Sequence, residues 1–239
     1  MCIICVKKPG LNLPNSATID RLWQRNPDGA GFMWAQKGGS AVHIRKGFMT
    51  LGEFKQALYS VKDSKSLAMV LHFRITTHGG TCAANTHPFP ITANLDKLRD
   101  NNIVSSQTCF AHNGILPIKP KRADISDTME FSRSRLAPVM DMCEDFLNNE
   151  AAMALIEDMS EGSRLAFLSP TGQIRTTGGF YEDPKSRLLY SNTSFMQTYT
   201  WPEYDMPRRR WQAMQTIIPS AYGFKNWDDD DETRMPWEH

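Results

Sequence analysis

The first apolar run of this chain begins at its second residue. Cys-Ile-Ile-Cys-Val, residues 2–6, is rich in β-branched side chains and is stopped by Lys7, Lys8, Pro9 and Gly10, which predicts a short buried strand at the N-terminus. Such a strand needs partners from further along the chain. Strand-like runs recur at residues 31–35, 41–47, 67–73, 108–112, 164–168, 173–177 and 187–190. Helical patterns lie between them. Asn15 or Ser16 caps one that reaches about Arg25, with Ile19, Leu22 and Trp23 on one face. Thr50 caps a second, whose Leu51, Phe54, Leu58 and Val61 form a stripe. Ser126-Asp127-Thr128-Met129-Glu130 opens a third, to about Ala137, with acidic residues in its first turn. Pro138 starts a fourth that runs to about Asp158, and the Asn- and Asp-rich stretch 91–107 reads as an insertion. Strands precede, flank and follow the helices, which favours two antiparallel sheets with helices outside them over a regular βαβ alternation.

Composition narrows the class further. The chain has 239 residues, enough for one large domain or two small ones and for a core without disulfide or metal staples. With 27 Lys+Arg against 26 Asp+Glu the net charge is +1, which argues against a general polyanion binder and makes nucleic acid an unexpected partner. The five apolar residues 2–6 ahead of two lysines fall short of a signal peptide's apolar segment, and no window approaches a membrane span. Five cysteines, an odd number, lie at 2, 5, 82, 109 and 143, so reduced thiols in a cytoplasm are expected. From Met196 onward the chain turns to Trp, Pro and charge runs, which assigns residues 2–195 to one domain and 196–239 to an extension. Within that extension Arg208, Arg209 and Arg210 read as a solvated helix face, and residues 228–232 as an acidic tail.

Cys2 is the sharpest chemical feature. Removal of Met1 would leave a cysteine with a free α-amine, so that one residue supplies both a nucleophile and a base whose ordinary pKa of about 7.7–8.0 leaves part of it neutral near pH 7. A bland reading stands beside it, a small buried side chain in a first strand. The Cys2–Cys5 spacing also suits zinc or a redox pair, but no second ligand pair follows, and residues three apart on a strand face opposite ways, which assigns Cys5 to core packing. His72, His78, Cys82 and His87 match no standard metal spacing. Serine-hydrolase, P-loop and dinucleotide motifs are missing.

Further segments decide between the readings of Cys2. Behind it come Asn26-Pro27-Asp28-Gly29-Ala30-Gly31, His72-Phe73-Arg74-Ile75-Thr76-Thr77-His78-Gly79, Asn85-Thr86-His87-Pro88-Phe89, Phe110-Ala111-His112-Asn113-Gly114 and Ser126-Asp127-Thr128. This order resembles the glutaminase domain of class II glutamine amidotransferases, the N-terminal-nucleophile (Ntn) family, and above all its stand-alone forms. The resemblance spans roughly residues 2–195. It implies an α+β fold, a four-layer αββα sandwich of two antiparallel sheets. It implies catalysis by Cys2, with an oxyanion hole made by the Asn113 side-chain amide and the Gly114 backbone N–H. Arg74 would hold the substrate carboxylate and Asp127 its ammonium, while Thr77, His78 and Gly79 would line the pocket around bound glutamine. A planar guanidinium suits a carboxylate by pairing two parallel hydrogen bonds with it. No cofactor and no metal are implied.

The chain departs from the pattern in two places. Ile75 stands where several members have tryptophan, and 91–107 lengthens the connection between His87 and His112. The 44 residues after 195 are too few for an acceptor domain, so the expected partner is a separate ammonia-acceptor enzyme. Action in the cytoplasm of a bacterial cell or a phage-infected host follows from the same resemblance. Hydrolysis of γ-glutamyl amide conjugates is the alternative activity, and a silent interaction domain that kept the fold is the third reading. The oligomeric state is left open.

Overall fold

The computed structural model describes residues 1–75, 81–122 and 124–196. The chain divides into two units, Met1–Gln197 and Thr198–His239; the arginine run, the acidic run and the tryptophans of the extension lie outside the described residues.

Strands and helices follow one another as β1 (Ile3–Lys7), α1 (Ser16–Arg25), β2 (Ala30–Ala35), β3 (Val42–Phe48), α2 (Leu51–Tyr59) and β4 (Ala68–Phe73), then β5 (Phe89–Pro90), α3 (Leu95–Arg99), β6 (Asn102–Ser105) and β7 (Cys109–Asn113). After them come α4 (Asp127–Phe131), α5 (Ala137–Met142), α6 (Glu150–Met159), β8 (Arg164–Leu168), β9 (Ile174–Thr177), β10 (Tyr181–Glu182) and β11 (Leu189–Tyr190). The protein is therefore α+β, with two antiparallel sheets among the described residues. A seven-stranded sheet runs β10-β11-β1-β4-β2-β3-β6 and a four-stranded sheet runs β5-β7-β8-β9.

Three apolar clusters show how these parts stack. Alternate residues of a strand point to opposite faces. On β1, Ile3 and Cys5 enter a cluster with Ile19, Leu22 and Trp23 of α1 and Phe54 and Leu58 of α2, whereas Ile4 and Val6 enter one shared with Cys109, Ala111, Ala166 and Leu168 of the other sheet. The third cluster joins Phe110, Leu165 and Phe167 to Met129, Val139, Met153 and Ile156 of the later helices. Burial on both faces explains why residues 2–6 read as an unbroken apolar run. Cys5 faces away from the inter-sheet layer, fully buried, and burial pushes its thiol up to about 12.

Helix starts fall where capping residues predict them. Asn15 accepts from the Thr18 N–H at 2.8 Å, Thr50 from Glu53 at 3.3 Å and Ser126 from Met129 at 3.2 Å. The stretch 91–107, read as an insertion, contains α3 and β6, and β6 pairs with β3 at the edge of the larger sheet, with Ile103 turned inward and Val104 68% exposed. Other expectations need correction. The helix expected from 138 to 158 is two helices. α5 ends at Met142 before an extended Cys143, and α6 restarts behind Asn149, whose side chain accepts from the Ala151 and Ala152 N–H groups. Between α4 and α5 the chain widens into a π-helical turn, Ser132–Leu136. Lys7, expected to end the first strand, lies inside it and is buried. Its ammonium donates to the Lys65 and Leu67 carbonyls at 3.2 and 2.8 Å, and desolvation lowers its pKa to about 8. No helix among the described residues is long and apolar enough to cross a membrane.

Candidate functional site

Two of the sequence segments meet at one end of the sandwiched layers. The turn Asn26-Pro27-Asp28-Gly29 leads into β2 and is docked on the backbone of Arg74, which follows β4: the Arg74 N–H donates to Gly29 O at 2.8 Å and the Asp28 N–H to Arg74 O at 3.1 Å. Gly29, at φ +116°, has Thr86 Cγ2 2.8 Å from where a Cβ would stand, and a Cβ on Gly31 would fall 2.3 Å from His87 O. Glycine is therefore required at both places so that the Asn-Thr-His-Pro segment can lie against the turn. The His87–Pro88 peptide is cis.

Behind these segments three histidines are buried together. His72 Nε2 lies 3.0 Å from the His112 carbonyl, and a carbonyl only accepts, so the His72 proton sits on Nε2. His87 Nδ1 lies 3.1 Å from the same oxygen. Desolvation lowers the pKa of His72 to about 3 and of His112 to about 4, the nearby Asp127 charge partly opposing the latter, and it holds His87 well below its usual range. All three are neutral at physiological pH. The bond from the His72 ring to the His112 carbonyl spans the two sheets, the His112 ring reaches Thr128 of α4, and among the described residues no group of three or more His, Cys, Asp or Glu is placed to hold a metal ion.

Cys2 stands just ahead of β1. Its thiol donates to the Ile75 carbonyl at 3.6 Å, and burial raises its pKa. The Ile75 hydrogen bond, the positive N-terminus and Arg74 oppose that rise and Asp127 adds to it, so charges of both signs act electrostatically on the sulfur. Arg74 is 5% exposed. Asp127 is the first residue of α4; its Oδ1 accepts from the Thr128 N–H at 2.7 Å and from the Thr128 hydroxyl at 3.2 Å. Since that hydroxyl gives its hydrogen to the carboxylate, it accepts from His112 Nδ1, 3.1 Å away, and the proton of His112 is on Nδ1.

Asn113 ends β7 and is fully buried. Its Nδ2 donates to Ser191 Oγ at 2.9 Å. Gly114 has φ +152°, and a Cβ there would lie 2.3 Å from Ser163 Oγ. The space that a side chain at 114 would take is filled by Ser163, so packing against the start of β8 demands glycine there. Thr77, His78 and Gly79 lie outside the described residues.

The structure thus sets Cys2 within electrostatic reach of both Arg74 and Asp127 and, through Ser191, ties Asn113 to the strand that follows Cys2. It also gives contacts to residues to which the motifs assigned no role. Asn26 is 1% exposed and donates through Nδ2 to Met1 O at 2.9 Å. Asn192 Nδ2 donates to Cys2 O at 2.7 Å, and Ser191 Oγ accepts from the Ile4 N–H at 2.8 Å. The available signal was a polar Ser-Asn-Thr-Ser run directly after an expected strand, where binding residues commonly sit. All five cysteines are free thiols. No family model matches this chain, and no curated protein matches it significantly.

Proposed function

We propose that this protein is a glutaminase of the class II amidotransferase type, an αββα sandwich of the Ntn kind that hydrolyses the side-chain amide of glutamine and passes the ammonia to a separate acceptor enzyme. The observation that carries the reading is that opposite charges, Arg74 and Asp127, both act on the Cys2 thiol, which donates to the carbonyl of Ile75 next to Arg74. That pair matches a zwitterionic amino acid, whose carboxylate and ammonium need partners of opposite sign while the amide is presented to the sulfur. The three apolar clusters, one between the sheets and one on each outer side, support the fold assignment.

A raised thiol pKa means that no thiolate stands ready, so a base must take the proton when the sulfur attacks. With Met1 present the Cys2 nitrogen is a non-basic amide. Once Met1 is removed, the Cys2 α-amine accepts the thiol proton, the sulfur bonds to the amide carbon, and the oxyanion is met by Asn113 and Gly114. The Asn113 amide nitrogen has two hydrogens, of which Ser191 takes one. Collapse of the tetrahedral species returns the proton to the departing ammonia and leaves a γ-glutamyl thioester, which water hydrolyses to glutamate. The setting is a cytoplasm that keeps thiols reduced.

The test is an intact mass of the protein as made in its host, followed by an ammonia-release assay with glutamine. The expected result is a mass lacking Met1, ammonia release, and no release from Cys2→Ala of unchanged circular dichroism. Full activity in Cys2→Ala, or none in protein shown to lack Met1, overturns the reading; turnover of a γ-glutamyl conjugate in place of glutamine moves it to the alternative substrate.

A further inference from the structure

We infer that Ser191 and Asn192 are positioning residues that hold the Cys2 nucleophile and the Asn113 amide in a single frame; the inference rests on the glutaminase reading and adds two residues to it. β1 begins at Ile3, so the ladder does not fix Cys2 itself. Asn192 does so, with Nδ2 2.7 Å from the Cys2 carbonyl. Its own Oδ1 accepts from the Ser194 N–H at 3.1 Å, which sets the side chain's orientation.

Ser191 binds the same strand twice. Its N–H donates to Ile4 O at 3.0 Å and its Oγ accepts from the Ile4 N–H at 2.8 Å, completing the pairing where β11 has already ended at Tyr190. That same Oγ accepts from Asn113 Nδ2, which comes from the other sheet. Ser191 and Asn113 are 2% and 0% exposed, so no bulk water can replace either partner. Two adjacent residues thus join the strand carrying the nucleophile to the residue that meets the oxyanion. A side-chain amide free to swing about its terminal bond would present its carbonyl oxygen to a developing negative charge part of the time. The Ser191 bond restricts that swing, and misplacement of a reacting group by an ångström is enough to cost about 10²-fold in rate.

The experiment is a double-mutant cycle on the Met1-processed protein, with ammonia release from glutamine as the readout. Ser191→Ala is expected to lower kcat by about 10–100-fold with KM little changed, and Ser191→Thr, which keeps the hydroxyl, to retain most of the rate. On an Asn113→Ala background the further loss from Ser191→Ala should shrink to less than about twofold, because the serine acts through the amide. Equal losses on both backgrounds, or a loss confined to KM, overturn the inference. Should Ser191→Ala fail to fold, Asn192→Ala, a half-buried site, carries the test with a second readout: the side-chain NH2 signal of Asn113 in ¹⁵N NMR. Asn192 makes no hydrogen bond to Asn113, so a moved signal supports a shared frame and an unmoved one refutes it. This readout needs no turnover. A wild type that releases no ammonia would sink the glutaminase reading, while the NMR result still decides the frame.

Discussion

The layer between the two sheets has two ends of opposite character. At one end Ala35, Val42, Ala68, Cys109 and Leu168 meet as apolar surfaces, all fully buried. At the other, His72, Asn113 and Ser191 are as dry, yet each is polar. The apolar end gains from every ångström of contact and tolerates side chains of similar shape. The polar end gains nothing from being buried, since each donor and acceptor removed from water must find a partner or cost free energy. Its partners are specific: the His112 carbonyl for His72 and His87, and Ser191 for Asn113 and Ile4. One end therefore holds the sheets together, and the other fixes where a few atoms stand.

The sharpest way to break this comparison is at Asn113. Asn113→Ala is expected to lower kcat for glutamine by about 10²–10³-fold, the usual loss of about 2.7–4 kcal/mol for one oxyanion donor. KM should change little, because the amide would act on the transition state more than on bound substrate. Steady-state ammonia release at several glutamine concentrations separates the two. A variant that loses thermal stability but keeps kcat would make Asn113 a strut like the histidines, and the polar end a structural device only.

These two ends were not equally legible in the sequence. The apolar end announces itself: apolar runs such as residues 2–6 and 67–73 give strands, and alternation along them gives the faces. Caps such as Thr50 and Ser126 are local, with donor and acceptor three residues apart, so they too are readable. The break between α5 and α6 was missed because no Pro or Gly marks it; the extended Cys143 and the Asn149 cap end and restart a pattern whose apolar spacing continues. In the site, Cys2, Arg74, Asn113 and Asp127 stand in short motifs and could be singled out. Ser191 and Asn192 could not, since their partners lie 187 and 190 residues away and only the pairing of β11 with β1 brings them there. Gly114 stands in the same motif as Asn113, and the packing of Ser163 adds a reason for glycine there that no local pattern carries.

Acid offers a second probe of the polar end. Desolvation lowers the pKa of His72 to about 3 and of His112 to about 4 from an ordinary 6.5, with His87 also well below it. The unfolded chain therefore binds protons below pH 6.5 that the folded chain refuses. Stability contributed by keeping these rings neutral is complete above about pH 6.5 and is lost as pH falls toward 4 and then 3. Urea midpoints measured from pH 7.5 down to pH 5 should decline, and His72→Gln, which removes one titrating ring, should decline less steeply even if it starts lower. A slope identical to wild type would mean that His72 is not excluded from protonation and that this end is wetter than its burial indicates.

The smallest effect is expected at the apolar end. Ile44 on β3 is fully buried in the inter-sheet cluster beside Met33 and Ile103. Ile44→Val removes one methylene and should cost about 0.5–1.5 kcal/mol of stability, read from denaturant midpoints at unchanged m-value. Its kcat and KM should match wild type, because a cavity of that size in an apolar layer loses dispersion contacts without leaving a polar atom unpaired or moving a hydrogen-bonded frame. A drop in kcat beyond the loss of folded protein would show that the two ends are mechanically joined, so that packing at Ile44 helps to set the Cys2–Asn113 geometry. With no such drop, the division stands: contact area at one end carries stability, and at the other the placement of single atoms carries the chemistry.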